Sequence, residues 1–279
     1  MSVVIESMRE ELPKDLTSLD KSQDQSEIKP KVPWLFALSW VAASVVMFVA
    51  YRLYMNAYSF TVGLDYFTPE FEYYWMRLMY VQLALIALLV FTVVPILWFT
   101  REKDPDSVPP KVELQRYYTM FALMAVASIA SFVALGLFAE ADAAWHQVTI
   151  RDTDFTPTHI GLFYFAMPLM FGGMLMAFVW VHTRLPDFHS RISIPFAFLA
   201  AGPTLVFPNL GLNEWGHTFF YAEELFGAPI HYGFFVLGLG FFAFGGFLVQ
   251  CYIRIDKLTR LDDTEEVIDP ASEVPSATT

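Results

Sequence analysis

The fold is decided by the stretch LMYVQLALIALLVFTVVPILWFT, residues 78–100, which contains no charged side chain. About 20 consecutive apolar residues in helical conformation cross the hydrocarbon core of a bilayer, so this stretch predicts a membrane-spanning helix. A search outward for other uncharged stretches of similar length gives five more. The six predicted spans are Val32–Tyr51, Leu78–Thr100, Tyr117–Ala139, Ile160–Val181, Ile192–Asn213 and Tyr232–Ile253. The sequence therefore predicts an all-α integral membrane protein, a bundle of about six transmembrane helices.

The composition agrees with a membrane protein. Of 279 residues, 56% are hydrophobic and 16% are charged, and Phe alone contributes 28, which is too apolar for a soluble domain of this size. There is no basic patch interleaved with aromatic side chains, so nucleic-acid binding is set aside. The single cysteine, Cys251, lies in an apolar run. This count excludes disulfides and thiolate metal clusters within the chain and predicts a packed side chain.

Polar segments flank the predicted bundle. Residues 1–31 form a polar cytoplasmic tail without the apolar region of a signal peptide, and residues 256–279 form an acidic cytoplasmic tail. Both tails contain few aromatic residues, which is typical of disordered segments. Residues 32–255 are the predicted membrane domain. Its fifth span contains Pro195, Pro203 and Pro208, which predict a kinked or broken helix.

The distribution of positive charge predicts the orientation in the membrane. All but three of the seventeen Lys and Arg residues lie in the N-terminal tail, between Arg101 and Arg116, at Arg184 and Arg191, or after Ile253. Because Lys and Arg are enriched on the cytoplasmic side, both termini are expected to be cytoplasmic. No predicted span has a charged residue near its centre, which disfavours an ion pump or ion-coupled transporter.

Four of the six histidines fall at span ends on the side opposite these basic segments. They belong to a pattern written twice: Asp142-x3-His146 then Pro157-x-His159-x-Gly161, and Asn213-x3-His217 then Pro229-x-His231-x-Gly233. Residues four apart share one face of a helix, and each second histidine opens the next span. Each half thus offers two imidazoles and one oxygen. The other two histidines, His182 and His189, are interpreted as facing lipid headgroups.

Two imidazoles and one oxygen suit a divalent first-row transition metal with open coordination positions. The Irving–Williams order favours copper, while zinc and non-haem iron are also chemically compatible, so these residues predict a nitrogen/oxygen site without choosing its metal. Ordinary structural roles are the alternative to metal binding, because Asp142 can be a solvated acid and Asn213 can cap the C-terminus of a helix. Glu223 and Glu224 are interpreted as carboxylates that orient the nearby histidines or as side chains facing water.

Several runs of residues resemble one family. They are Trp145-His146-Gln147, RDTDFTPTH at 151–159, GLNEWGH at 211–217, EELF at 223–226 and APIHYG at 228–233, with GLD at 63–65, PEFE at 69–72 and TRLP at 183–186. Together they are similar to the C subunit of the copper membrane monooxygenases, which comprise particulate methane, ammonia and short-chain hydrocarbon monooxygenases. The resemblance runs from about the first span to the last and leaves out the two tails.

The resemblance implies two copper sites, one at Asn213, His217 and His231 and the other at Asp142, His146 and His159. It implies assembly with the A and B subunits of the monooxygenase as a trimer of heterotrimers, surrounded by lipids in the cytoplasmic or intracytoplasmic membrane of a bacterium. O2 and a reductant such as quinol would be used to hydroxylate a small substrate, and the isolated chain is expected to be inactive. The Asn213 site is favoured as the catalytic one, because a neutral amide ligand leaves copper more easily reduced.

The segment GLFYFAM at 161–167 looks less like the ammonia and methane branches, which favours a short-chain alkane as substrate. Membership of an ammonia monooxygenase is the alternative within the family. Two other classes compete with a copper-binding role. One is a non-catalytic membrane scaffold of the same complex, and the other is a haem-binding anchor, which would use paired histidines without Asp or Asn partners.

Overall fold

The structure is helical throughout the residues it describes. This computed structural model describes the backbone of residues 31–148, 155–202 and 227–267, and the side chains of residues 31–145, 155–202 and 238–260. The helices are α1 (Trp34–Val62), α2 (Pro69–Phe99), α3 (Pro110–Val148), α4 (Pro157–Arg184), α5 (Pro186–His189), α6 (Ile194–Ala201) and α7 (Gly227–Val267). No strand occurs within these ranges, which confirms the predicted all-α class.

Within the part of the chain that the structure describes, five helical segments are long and apolar enough to cross a membrane. They are α1, α2, residues Pro110–Trp145 of α3, α4, and residues Gly238–Arg260 of α7. Each corresponds to one predicted span, so the chain is a multi-pass membrane protein. The remaining predicted span, Ile192–Asn213, is covered by α6 over Ile194–Ala201, and its residues from 203 onward lie outside the described residues. The sixth span and its break at Pro203 and Pro208 stay predictions.

The helices extend beyond the uncharged stretches that predicted them. Helix α3 has 39 residues, or about 58 Å at 1.5 Å per residue, against about 30 Å for a bilayer core. Helix α7 likewise continues to Val267, past residue 256 where the acidic tail was expected to begin. Arg260 and Asp256 form an ion pair of 3.0 Å one turn apart on this extension, an arrangement that supports an exposed helix.

Hydroxyl side chains fix where three helices begin. Thr68 caps α2, Thr156 caps α4 and Ser193 caps α6, each accepting a hydrogen bond from the amide three residues later. A proline follows within the first two helical positions, where its missing N–H costs nothing and its fixed φ suits a helix. The start of α4, and with it the position of His159 in its first turn, is therefore set by local sequence.

The described helices pack around two larger apolar cores and a smaller cluster of Ala37, Ala122 and Val126. Helix α1 lies along α3, α2 lies along α4, and α7 contacts both α6 and α3. The site core consists of Phe48, Met55, Phe71, Trp75, Met76, Met79, Ala134, Phe138, Ala141, Ile160, Leu162 and Ala166. The distal core consists of Leu114, Tyr117, Met120, Val181, Leu185, Phe188, Phe196, Phe247, Cys251 and Leu258. Cys251 is fully buried there, as predicted for a packed side chain.

Ion pairs join helices at both ends of the bundle. Arg254 of α7 holds Glu113 of α3 through two bonds, Nε to Oε1 at 2.8 Å and Nη2 to Oε2 at 2.6 Å, and the Glu113 side chain is 1% exposed. Arg52 of α1 pairs with Glu140 of α3 at 2.9 Å. In the loop after α2, a hydrogen bond from Arg116 lowers the pKa of the Glu102 carboxyl.

Loss of the α3–α7 ion pair should destabilise the protein strongly. Arg254→Met leaves the buried Glu113 carboxylate without its cation, and removing one partner of a buried pair costs about 3–5 kcal/mol. The free energy of unfolding of the detergent-solubilised protein measures this loss. Arg260→Met is the matched control, because its pair with Asp256 is largely exposed and such pairs contribute about 0–1 kcal/mol. An equal loss in the free energy of unfolding in the two variants would contradict the stabilising role of the buried Glu113–Arg254 pair.

Candidate metal centre

Two of the predicted ligands meet where α3 ends and α4 begins. Oδ1 of Asp142, on α3, lies 3.3 Å from Nε2 of His159, in the first turn of α4. The His159 side chain is 2% exposed and that of Asp142 is 19% exposed. Residues from two successive helices therefore present one oxygen and one nitrogen donor to the same point, beside a nearly closed interior.

The separation of these donors suits a shared metal ion. Metal–nitrogen and metal–oxygen bonds of about 2.0–2.2 Å place two ligands of a tetrahedral site about 3.3–3.5 Å apart. A hydrogen bond from a ring N–H to a carboxylate is normally shorter, at about 2.7–2.9 Å when charge-assisted. One carboxylate and one imidazole are a donor pair that copper, zinc and non-haem iron all accept. The pair is thus compatible with a metal centre that further ligands complete.

Threonine hydroxyls bond the carboxylate of Asp142 and the backbone amide of His159. Oγ1 of Thr158 donates to Oδ1 of Asp142 at 2.6 Å, and the Thr156 and Thr158 hydroxyls lie 3.1 Å apart. Thr156 also accepts from the His159 amide at 3.1 Å, which is the cap of α4. Hydrogen bonds of this kind fix the direction of ligands and tune their basicity. The helix cap and the carboxylate are therefore held by one short hydroxyl chain.

Tight packing closes the site on its apolar side. The Phe163 ring lies 4.8 Å from the imidazole of His159, and all residues from Pro157 to Gly161 are buried. The end of α1 presses on the start of α4, because a Cβ added at Gly63 would lie 2.7 Å from Cγ of Pro157. A side chain at residue 63 would collide with the Ser59 carbonyl of α1 as well as with Pro157, so glycine permits this close approach of the two helices.

The remaining predicted ligands are described in part or not at all. His146 lies on α3 one turn after Asp142, as the spacing predicted, and His231 lies in the first turns of α7, but both side chains are outside the described residues. Asn213 and His217, with Glu223 and Glu224, also lie outside them. Among the side chains that are described, no three His, Cys, Asp or Glu groups converge, and neither predicted triad lies wholly within that set.

His182 has a structural role, which corrects the expectation that it faces lipid headgroups. Its Nδ1 lies 2.8 Å from the carbonyl of Phe178, and its Nε2 accepts from the amide of Ser193 at 3.1 Å. Nδ1 must carry the proton, because the carbonyl can only accept. The ring also stacks on Phe196. Its bonding and packing lock α4 to the start of α6, while His189 is exposed as expected.

Sequence reasoning missed three side chains around the site. Thr158 is one of them. Its position directly after Pro157, at the predicted start of a helix, is the sequence signal that could have identified it as a helix cap or as a partner of a ligand. Gln82 and Tyr51 are the others, joined to each other and to the α4 backbone next to His159. Gln82 is a lone amide in the otherwise apolar stretch 78–100, and a polar group in such a stretch requires a partner.

Comparison with known proteins gives a family match over most of the chain. Residues 18–262 match the family described as the C subunit of ammonia monooxygenase/methane monooxygenase. The chain is also similar to NAD(P)H-quinone oxidoreductase chain 4-2 of Synechocystis sp., with 25% identity over 255 residues. That alignment covers 83% of this chain and 43% of the relative, so the chain spans less than half of the relative's length. Identity this low does not transfer the relative's activity.

Removing the Thr158 hydroxyl should weaken metal binding at this centre. Thr158→Val keeps the shape of the side chain but takes away the donor to Asp142, and loss of such a bond costs about 10- to 100-fold in metal affinity. The free Cu(II) or Zn(II) needed for half occupancy of the purified protein complex should rise accordingly. Thr158→Ser, which retains the hydroxyl, is the control and should behave as the parent. An unchanged affinity in the valine variant would contradict the role of this hydroxyl.

Proposed function

Because this chain belongs to the C-subunit family of ammonia monooxygenase/methane monooxygenase, we propose that it is a copper-binding subunit of a copper-dependent membrane monooxygenase. The observation that carries this proposal is the 3.3 Å approach of Asp142 to His159. A solvated acid or a snorkelling histidine would not be expected to converge in this way from two different helices. Copper is the metal proposed, since an imidazole-rich nitrogen/oxygen site binds it more tightly than other divalent first-row metals.

In this proposal the protein holds two copper sites at one end of the bundle. Asp142, His146 and His159 form the first, and Asn213, His217 and His231 form the second, which the repeated sequence pattern supports. Bound copper supplies one-electron redox chemistry and an open position for O2. At the first site, the carboxylate and imidazole bind the ion, Thr158 orients the carboxylate, and the site core keeps water from the buried side of His159.

The partners proposed for the chain are the A and B subunits of the monooxygenase, in a trimer of heterotrimers. Large apolar side chains on the surfaces of the spans support contact with lipid or other proteins, since Phe91, Phe132 and Phe242 are 77%, 79% and 83% exposed. A quinol or similar reductant supplies electrons and protons, O2 is the oxidant, one oxygen atom enters a small substrate and the other leaves as water. The cytoplasmic or intracytoplasmic membrane of a bacterium is the proposed location, with both termini cytoplasmic.

Histidine variants of the assembled complex test whether the chain binds catalytic copper. His217→Ala and His231→Ala should each lower the copper content of the purified complex and abolish oxygenation, because the proposed second site loses an imidazole. His189→Ala is the control, since this exposed histidine belongs to neither cluster. Copper content and oxygenation that match the parent in both cluster variants would overturn the second copper site and its catalytic role, and would favour a non-catalytic scaffold.

The substrate proposed is a short-chain alkane. Membranes that contain the complex should oxidise ethane and butane to alcohols faster than they oxidise methane or ammonia, with product formation measured for each substrate at equal concentration. The His217→Ala complex provides the background rate. Faster oxidation of ammonia or of methane would contradict the alkane assignment and place the chain in that branch of the family.

A further inference from the structure

A buried glutamine connects three helices next to His159. The amide of Gln82, in α2, donates from Nε2 to the carbonyl of Ile160 in α4 at 3.0 Å, and its Oε1 accepts from the hydroxyl of Tyr51 in α1, also at 3.0 Å. Gln82 is 5% exposed. The orientation of the amide follows from chemistry, because the Ile160 carbonyl can only accept and must face the NH2 group.

The main chain departs from α-helical geometry just after this contact. Helix α4 changes to a π-helical turn over Leu162–Ala166, and the amide of Met167 bonds back five residues to the carbonyl of Leu162. Such single π-helical turns inside α-helices are rare and often lie at functional sites. Gln82 donates to the main chain between His159 and this turn. The side chain therefore anchors the backbone at the point where the helix geometry is about to change.

Packing makes the same segment sensitive to small shifts. A Cβ added at Gly161 would lie 3.1 Å from Sδ of Met55 and 3.2 Å from ring carbons of Tyr51 and Phe138. Helices α1 and α3 therefore press directly on the α4 main chain one residue after the carbonyl that Gln82 holds. A displacement of that carbonyl moves the preceding residue, His159, relative to Asp142 on α3.

We propose that Gln82, oriented by the Tyr51 hydroxyl, is a positioning residue for the metal ligand His159. It fixes the first turn of α4 so that Nε2 of His159 faces Oδ1 of Asp142 at the separation a shared ion requires. The inference rests on the proposed function, because it assumes that these two residues bind copper. It assigns to α2 a part in the site, although no predicted ligand lies on that helix.

Copper titration of the purified complex, followed by electron paramagnetic resonance of Cu(II), tests the proposal. The difference between the parent complex and His159→Ala defines the signal of this site. Gln82→Leu removes both hydrogen bonds at similar volume and should raise the free copper needed for half occupancy by about tenfold, with an altered spectrum for the copper that still binds. Tyr51→Phe removes only the bond that orients the amide and should give a smaller shift in the same direction.

Gln250→Leu is the matched control. Gln250 in α7 also bonds across helices, accepting from the Ser193 hydroxyl at 2.7 Å, but it lies beside the distal core. Its variant should keep the parent copper affinity and spectrum. An equal loss of copper affinity in the Gln82 and Gln250 variants would show general destabilisation of the protein and overturn the inference.

The remaining outcomes separate the inference from the proposed function. If His159→Ala loses the signal while Gln82→Leu binds copper as the parent does, the positioning role is overturned and the proposed site stands. If His159→Ala itself changes neither copper content nor spectrum, the site fails and the inference fails with it. If the complex that carries Gln82→Leu does not assemble, the Tyr51→Phe variant tests the positioning role instead. A copper affinity equal to that of the parent in that variant overturns the positioning role.

Discussion

The constraint on which the structure depends is that a chain in lipid must satisfy its backbone hydrogen bonds internally. Helices do so along their length, but each helix end leaves donors and acceptors free. In this protein, threonine and serine caps supply acceptors at the starts of α2, α4 and α6. Two residues before α4 changes to a π-helical turn, a glutamine from another helix donates to its backbone. Helix starts and the approach to the π-helical turn are thus bonded by specific polar side chains.

The same constraint explains why the candidate site lies at helix ends. An ionisable group at the centre of a span is costly, whereas the end of α3 and the first turn of α4 offer polar partners within a few ångströms. The cap residue Thr156, its neighbour Thr158, and the carboxylate of Asp142 form one chain of hydrogen bonds. Capping the helix and orienting a ligand are therefore performed by the same few atoms.

Rigid packing around the site has a counterpart at the other end of the bundle. There, the buried Glu113–Arg254 pair ties α3 to α7, and the neutral ring of His182 ties α4 to the start of α6. Because α7 also contacts α6, these two contacts connect α3 and α4 indirectly, through a pair of helices that carries neither donor of the candidate site.

The sequence by itself determined the membrane class and the positions of five spans, because length and the absence of charge specify a helix in lipid. The repeated spacing also predicted that Asp142 and His146 share a helix and that His159 opens the next. Only the tertiary structure decided that Asp142 reaches His159, that Thr158 bonds Asp142 and Gln82 bonds the α4 backbone, and that both ring nitrogens of His182 bond the protein backbone. These depend on how α1 to α4 pack, and spacing along one chain carries no information about which side chains meet between helices.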